Sequence, residues 1–314
     1  MATTALHHLS RQGGVSATIT GAGWLPGIAR RSRGTGQGTA MGRGAGAVSP
    51  VFVDGSYRTA PGDRSLFARF FPGLGFYTWF AYIVVRGSNN ARLGHYGDAD
   101  WSHNSLEVMR ALEAVGVQIE ITGTDHFSRL EGPCVFIGNH MSTLEAFVLP
   151  TIIQPLKRVA FVVKKSLVEY PIFGHLMRSR NPIVVGRTNP REDLKAVIEG
   201  GLERLHAGIS IVVFPQKTRS ALFDPASFNS IGIKLAKRAQ VPVVPLALKT
   251  DAWSNGARLK DFGKIDPAKV VRFAFGEPLW VQGSGAAEHH QVVEFIREHL
   301  LSWGGSVAPT PASV

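Results

Sequence analysis

From residue 101 to residue 303 the chain alternates between short apolar runs and longer segments with helical periodicity. Short runs rich in Val, Ile and Phe predict buried strands, and apolar residues three and four positions apart predict amphipathic helices. Strands are predicted at residues 117–121, 134–138, 159–163, 183–185, 210–214, 243–248 and 271–275. Helices are predicted at residues 105–115, 145–151, 191–206, 231–239 and 288–303. This alternation predicts an α/β fold in which a layered sheet is flanked by helices.

Composition narrows the class of protein further. Hydrophobic residues make up 44% of the 314 positions and charged residues 18%, so most of the chain can bury a core. A single cysteine excludes a disulfide framework and a cysteine-rich zinc site. We see no His, Asp and Glu cluster with the spacing of metal ligands, so we expect neither a metal nor a cofactor.

The charge of the chain is concentrated near its start. The net charge is +11, but five arginines precede the first acidic residue, Asp54, and without them 29 basic residues face 23 acidic ones. The remaining excess of 6 is too small to indicate nucleic-acid binding by itself, and no zinc-finger or RNA-recognition motif is present. A mildly basic surface suits anionic lipid headgroups equally well.

Residues 1–50 are rich in Gly, Ala, Ser, Thr and Arg and lack a sustained apolar period, which predicts a disordered tail. An organelle transit peptide, or a start site mis-assigned upstream of Met41, would have the same composition. Residues 304–314 are predicted to be a second tail. Between the two tails we expect an apolar segment at residues 51–100 and an α/β domain at residues 101–303.

Residues 70–85 form the longest uncharged apolar run in the chain. Its 16 residues are fewer than the roughly 20 that a helix needs to span a bilayer. Trp79, Tyr77 and Tyr82 favour a membrane interface, which suggests a helical hairpin or a single helix lying in one leaflet. A buried core segment of the α/β domain is the alternative.

The stretch from Gly138 to Glu145 is the first candidate for chemistry, because a buried strand ends there and a helix follows. His140 would lie at the carboxyl end of the strand, where ligands bind in open α/β sheets. Histidine suits proton transfer near neutral pH, and a carboxylate such as Glu145 can orient it. Ser142 and Glu145 also form the S-x-x-E pattern of a helix cap, which needs no catalysis to explain it.

Basic residues follow two other predicted strands. Lys217 and Arg219 lie on a polar loop that begins at Pro215, and Arg187 follows the strand at residues 183–185. Arginine can bind a phosphate through two hydrogen bonds and lysine acts as a point charge, so these side chains could form an anion site. A solvated basic loop is the simpler alternative.

Four ordered sequence blocks resemble the glycerolipid acyltransferases of the 1-acylglycerol-3-phosphate acyltransferase type. The blocks are Asn139 to Glu145, Gly186-Arg187, Phe214 to Ser220 and Val241 to Pro245. Together with their surroundings they cover roughly residues 105 to 278. Four blocks in the same order are much more specific than any one of them.

The resemblance implies a membrane-associated enzyme on the cytoplasmic face that moves a fatty acyl group to a lysophospholipid hydroxyl, above all that of 1-acylglycerol-3-phosphate. The donor would be acyl-CoA or acyl-carrier protein, and the partners would be these substrates and a lipid bilayer surface, with no nucleic acid. His140 is implied as the general base and Glu145 as its orienting carboxylate, with backbone N–H groups near Ser142 as oxyanion donors. The implied substrate-binding residues are Asn139, Arg187, Lys217, Thr218, Arg219 and Ser220.

Two departures from the family pattern bear on the substrate. Glu145 replaces the usual aspartate, and a carboxylate one methylene longer can still orient the imidazole. Gln216-Lys217 replaces Glu-Gly in the block that lines the acceptor site in the family, which makes that block more positive by two charges. This substitution favours a more anionic acceptor. It also leaves open a different lipid acceptor or a non-catalytic lipid-binding member of the same fold.

Overall fold

The computed structural model describes residues 49–60, 62, 70–257 and 259–309. The predicted tail at residues 1–50 lies outside these ranges, apart from its last two residues, and so do residues 310–314. The described strands are β1 (Tyr57–Arg58), β2 (Ile119–Thr122), β3 (Val135–Gly138), β4 (Val159–Lys164), β5 (Ile183–Val185), β6 (Ser210–Val213), β7 (Leu222–Phe223), β8 (Val243–Lys249), β9 (Val271–Phe275) and β10 (Ser306–Val307). Their positions confirm the predicted strands to within two residues at each end.

The central sheet has eight strands in the order β1-β2-β9-β8-β3-β6-β4-β5. The last five strands in this order are parallel to one another, whereas β8 and β9 are antiparallel. The carboxyl ends of β8, β3, β6, β4 and β5 therefore share one edge of the sheet. The long crossover connections that parallel strands need account for the helices between them.

Helices cover both faces of the sheet, which confirms the predicted layered α/β fold. They are α1 (Pro72–Arg92), α2 (Asp98–Ala114), α3 (Thr124–Ser128), α4 (Leu144–Ile153), α5 (Lys165–Val168), α6 (Phe173–Arg178), α7 (Pro190–His206), α8 (Ile231–Ala239) and α9 (Ala286–Ser302). Side chains alternate across β3, so that Phe136 packs with α1, α2 and α4, whereas Val135 and Ile137 pack with α7, α8 and α9. Because both faces are buried, β3 is apolar at every position before Gly138.

The apolar run at residues 70–85 lies mainly in α1, a single helix that begins at Pro72, as proline favours. One face of α1 is buried against the core through Phe76, Phe80 and Ile83. The rest of the surface of α1 leaves large apolar side chains more than half exposed, including Leu74 and Trp79. The run therefore belongs to a single helix and not to a hairpin, and one of its faces is buried as the core-segment alternative predicts, whereas its contact with a leaflet stays a prediction. None of the helices in the described ranges combines the length and the apolar character that a membrane span requires.

Two segments predicted to lie outside the α/β domain pair with its strands. Tyr57 and Arg58 add β1 to the sheet antiparallel to β2, and the Tyr57 hydroxyl donates a hydrogen bond to Glu113 over 2.6 Å. The sheet therefore includes residues on both sides of the predicted domain boundary at residue 101. Ser306 and Val307 pair in parallel with β7, so this part of the predicted tail at residues 304–314 is a strand. Backbone hydrogen bonds to β7 order it.

Candidate active site

His140 lies two residues beyond the end of β3, at the edge where the five parallel strands terminate. Crevices at the carboxyl ends of strands are the usual ligand sites in such sheets. The His140 side chain is 16% exposed, so it reaches solvent without lying on an open surface. Its ring stacks on Phe214, with centroids 4.5 Å apart and planes within 5° of parallel. This stack fixes the plane of the imidazole.

Glu145 lies in the first turn of α4 with its side chain fully buried. Its Oε1 atom is 3.7 Å from Nδ1 of His140, beyond hydrogen-bond length, and the two groups attract as an ion pair only when the imidazole carries a proton on both nitrogens. Contacts of this kind are often long in substrate-free sites and shorten when substrate binds. Burial by itself raises the pKa of Glu145, but His140 and the N–H groups of Ser142 and Met141 outweigh it, so the pKa lies below its ordinary value. The carboxylate is therefore ionised at neutral pH.

The helix cap and the histidine–carboxylate pair are formed by the same side chain. Oε1 of Glu145 accepts hydrogen bonds from the backbone N–H groups of Met141 at 2.6 Å and Ser142 at 3.0 Å. The chain between His140 and α4 thus folds back over the carboxylate, which brings the two side chains together although they would point in different directions on one regular helix. The N–H groups of Met141 and Ser142 are already engaged, so the expectation that donors near Ser142 form the oxyanion hole is wrong for these two.

The loop after β6 holds the backbone of His140 on both sides. The His140 N–H group donates to Oε1 of Gln216 over 2.6 Å, and the Ser220 N–H group donates to the His140 carbonyl over 2.9 Å. Gln216 is buried, so it faces His140 instead of lining an acceptor pocket as its block suggested. Only Lys217 of the altered pair is exposed. The position of Gln216, directly after a strand-ending proline, is the signal that could have indicated this role.

The structure brings the predicted cations Arg187, Lys217 and Arg219 together beside this loop. Nη1 of Arg187 donates to the Lys217 carbonyl over 2.9 Å. Burial, and then the nearby charge of Arg219, lower the pKa of Arg187, as expected for two like charges held close together. Arg187 has a φ of +62°, and the carboxylate of Asp193 accepts its N–H group at 2.9 Å. Such left-handed backbone in a non-glycine residue is uncommon and is typical of functional sites.

Arg219 is the most buried of these three cations, with 17% of its side chain exposed. Its Nη1 atom lies 2.7 Å from Oδ1 of Asp261 and also contacts the Thr143 hydroxyl. Asp261 belongs to the loop between β8 and β9, which carries none of the sequence blocks. Sequence reasoning missed it because no local pattern indicates a partner 42 residues away.

Comparisons with known proteins show which family the chain is similar to. The sequence model of the family described as Acyltransferase matches residues 118–249. A 1-acyl-sn-glycerol-3-phosphate acyltransferase of Pseudomonas aeruginosa is 31% identical over 187 residues, which are 59% of this chain and 68% of that protein. The chain belongs to this acyltransferase family. The family resemblance inferred from the four blocks is confirmed, and the protein is an acyltransferase acting on glycerolipids.

One further relative and one solved structure are also similar to this chain. The 1-acyl-sn-glycerol-3-phosphate acyltransferase of Saccharomyces cerevisiae is 26% identical over 243 residues, 76% of each chain. The crystal structure of PlsC, the 1-acyl-sn-glycerophosphate acyltransferase of Thermotoga maritima, superposes with a TM-score of 0.56 at 18% identity. It covers 74% of this chain and 95% of that one. At that identity the superposition shows a shared fold.

Two of the predicted substrate-binding residues, Asn139 and Ser220, have structural contacts in the acyltransferase. Asn139 is buried, and its side-chain amide exchanges two 2.8 Å hydrogen bonds with the backbone of Leu248. It therefore ties β3 to β8 where the strands end, and the prediction that it binds substrate is not supported. The Ser220 hydroxyl accepts the Leu222 N–H group and shapes the loop, whereas Thr218 is exposed beside Lys217.

The single cysteine is not a candidate nucleophile, and no metal centre is found among the residues that the structure describes. The thiol of Cys134 is buried at the start of β3, and burial raises its pKa to about 12, so it stays protonated. Within the described ranges, no three His, Cys, Asp or Glu side chains are grouped so that they could hold a metal ion.

Proposed function

We propose that this acyltransferase moves a fatty acyl group from a thioester, carried by coenzyme A or by a carrier protein, to the hydroxyl of 1-acylglycerol-3-phosphate. The observation that carries the proposal is the His140 ring beside the buried Glu145 carboxylate, with Arg219 and Arg187 at the same edge of the sheet. An acceptor hydroxyl needs a base, and an acceptor phosphate needs cations. The names of the relatives from Pseudomonas and yeast support the same acceptor.

In the proposed reaction, Nε2 of His140 takes the proton of the acceptor hydroxyl while the oxygen attacks the thioester carbonyl carbon. The tetrahedral intermediate collapses to the new ester and expels the thiolate, which receives the proton from His140. Nδ1 faces Glu145, so the carboxylate stabilises the imidazolium that exists between the two proton transfers. The residues of the chain are unchanged after one cycle.

Arg219 and Arg187 are proposed to hold the phosphate of the acceptor. A hydrogen bond between charged groups contributes about 1.5–3 kcal/mol, so Arg219→Gln should raise the acceptor KM by roughly 10- to 150-fold. The effect on kcat should be smaller, because the contact is made in the ground state as well as the transition state. Thiol release at saturating donor and varied acceptor measures both constants. Arg238→Gln, in the last turn of α8 at the other edge of the sheet, is the matched control.

A panel of acceptors makes this test decisive. We expect wild-type protein to release thiol fastest with 1-acylglycerol-3-phosphate, and more slowly with its choline ester or with monoacylglycerol. An Arg219→Gln variant with unchanged dependence on the phosphate-bearing acceptor would contradict the phosphate role. Lipid binding without thiol release for any acceptor would instead favour a non-catalytic lipid-binding protein.

The proposed location is the cytoplasmic face of a membrane, with the outer face of α1 on the lipid. Leu74, Trp79, Tyr82 and Val85 lie on this face and are more than half exposed. Contiguous apolar patches with interfacial aromatic residues are typical of helices that lie on a bilayer. A lipid acceptor also requires the site to reach a membrane surface.

The double substitution Leu74→Ser and Val85→Ser should weaken sedimentation with phosphatidylglycerol vesicles about tenfold or more, because two apolar side chains lose their lipid contact. Activity on acceptor dissolved in detergent should remain. Leu301→Ser removes a comparably exposed leucine from α9, on the opposite face of the sheet, and should leave vesicle binding unchanged. Equal loss in both variants would argue against α1 as the lipid contact.

A further inference from the structure

A loop over the edge of the sheet places a carboxylate inside the cation cluster. The loop is described at residues 254–257 and 259–264, and the bridge between Trp253 and Ile265 closes its base. Its Asp261 presents Oδ1 to Nη1 of Arg219 at 2.7 Å, and the Thr143 hydroxyl lies 3.4 Å from the same oxygen. The Asp261 carboxylate therefore already occupies the position beside Arg219 and Thr143 that an anionic ligand would take.

The loop is held on both sides of Asp261. The side-chain amide of Asn255 donates to the Met141 carbonyl over 2.9 Å, next to His140. On the other side, the Tyr77 hydroxyl of α1 donates to the Gly263 carbonyl over 2.5 Å, and the Phe262 ring packs on Tyr77 with centroids 5.8 Å apart. These contacts hold the loop beside Arg219, so the Asp261 carboxylate lies within reach of the guanidinium.

The ion pair is placed so that a stronger anion could displace the carboxylate. Arg219 is mostly buried, whereas 41% of the Asp261 side chain is exposed, so the carboxylate can turn outward while the guanidinium stays in place. Arg187 adds a second positive charge nearby. A phosphate ester carries up to two negative charges and three acceptor oxygens, against one charge for the carboxylate.

We propose that Asp261 is a specificity-determining residue that competes with the acceptor's phosphate for Arg219. It neutralises Arg219 in the free enzyme and must be displaced when the acceptor binds. An acceptor without a phosphate leaves the pair intact and gains nothing from Arg219. This inference rests on the proposed function, because it assumes that Arg219 binds the acceptor.

Asp261→Asn tests the inference with a side chain of the same shape and no charge. Partly exposed ion pairs contribute up to about 1 kcal/mol, so we expect the KM for 1-acylglycerol-3-phosphate to fall about three- to fivefold with kcat nearly unchanged. The inhibition constant of inorganic phosphate, measured against the acceptor, should fall by a similar factor. The KM for monoacylglycerol should not change.

Glu131→Gln is the matched control, because it removes an exposed carboxylate just before β3, at the other edge of the sheet. It should reproduce none of these effects. In the double variant Arg219→Gln with Asp261→Asn, the gain from the second change should disappear, because Asp261 acts through Arg219. Asp261→Ala is a second substitution that also removes the charge and should have the same effects as Asp261→Asn. Thermal unfolding of each variant tests whether the fold is intact.

Two results would overturn the inference. A rise in KM and in the phosphate inhibition constant for Asp261→Asn would mean that the carboxylate positions Arg219 for the acceptor. Unchanged constants would mean that the pair does not compete at all. Failure of the proposed function has a different signature, in which Arg219→Gln itself leaves the dependence on the phosphate-bearing acceptor unchanged.

Discussion

His140→Ala should lower kcat by about 10²–10⁴-fold, which is the usual contribution of a general base. The alanine removes the nitrogen that takes the hydroxyl proton, whereas the cations that hold the acceptor stay in place, so the acceptor KM should change little. Thiol release with saturating donor and 1-acylglycerol-3-phosphate measures the loss. His206→Ala, an exposed histidine at the end of α7, should keep wild-type activity.

Loss of folding is the alternative explanation that this experiment must exclude. His140 stacks on Phe214, so its removal opens a small space beneath the loop after β6. His140→Gln keeps much of the volume and should be as inactive as the alanine variant. If either variant retains near-wild-type kcat while its thermal unfolding is unchanged, His140 is not the base.

Glu145→Gln should lower kcat by two to four orders of magnitude. A neutral amide cannot stabilise the imidazolium, and replacing the orienting carboxylate by an amide costs about 10⁴-fold in the serine protease triad. Glu145 is a positioning residue, since it acts on the substrate only through His140. The readout is therefore kcat at saturating substrates, with the acceptor KM expected to stay close to the wild-type value.

The stability of this variant carries a second signature, because the folded-state pKa of Glu145 lies below its ordinary value of 4.5. The ionised carboxylate therefore stabilises the fold above that value, and its contribution disappears as the pH falls through the folded pKa. The difference in unfolding free energy between wild type and Glu145→Gln should be constant near neutral pH and shrink below about pH 4.5. Urea unfolding at several pH values measures it, and a difference independent of pH would contradict the assigned charge.

Most helices and strands of this fold could be predicted from the sequence, because the signals that define each of them lie within its own residues. The strands at residues 183–185 and 271–275 and the helix at residues 231–239 have the predicted bounds, since apolar period and breaking residues decide them. The two strands at the chain's margins were missed, because runs of two residues have no period of their own. β1 and β10 are strands because they pair with β2 and β7, which are far away in sequence.

The candidate site could be predicted only as far as its blocks extend. His140, Arg187 and Arg219 were placed at strand ends, and the parallel sheet brings those ends to one edge. The block pattern did not distinguish residues that face the crevice from residues that build it. Asn139 and Gln216 are both polar and near His140, but the side chain of each forms hydrogen bonds with backbone groups. Backbone groups at buried strand ends need such partners.

The hydrogen bond between Tyr77 and Gly263 ties the loop that carries Asp261 to α1. If α1 lies on the lipid headgroups as proposed, the loop that carries Asp261 keeps a fixed position relative to the lipid. Arg219, which pairs with Asp261, is then held at a fixed distance from the lipid surface. Removing the Tyr77 hydroxyl would therefore let the position of Arg219 relative to the lipid vary, although no reacting group is changed.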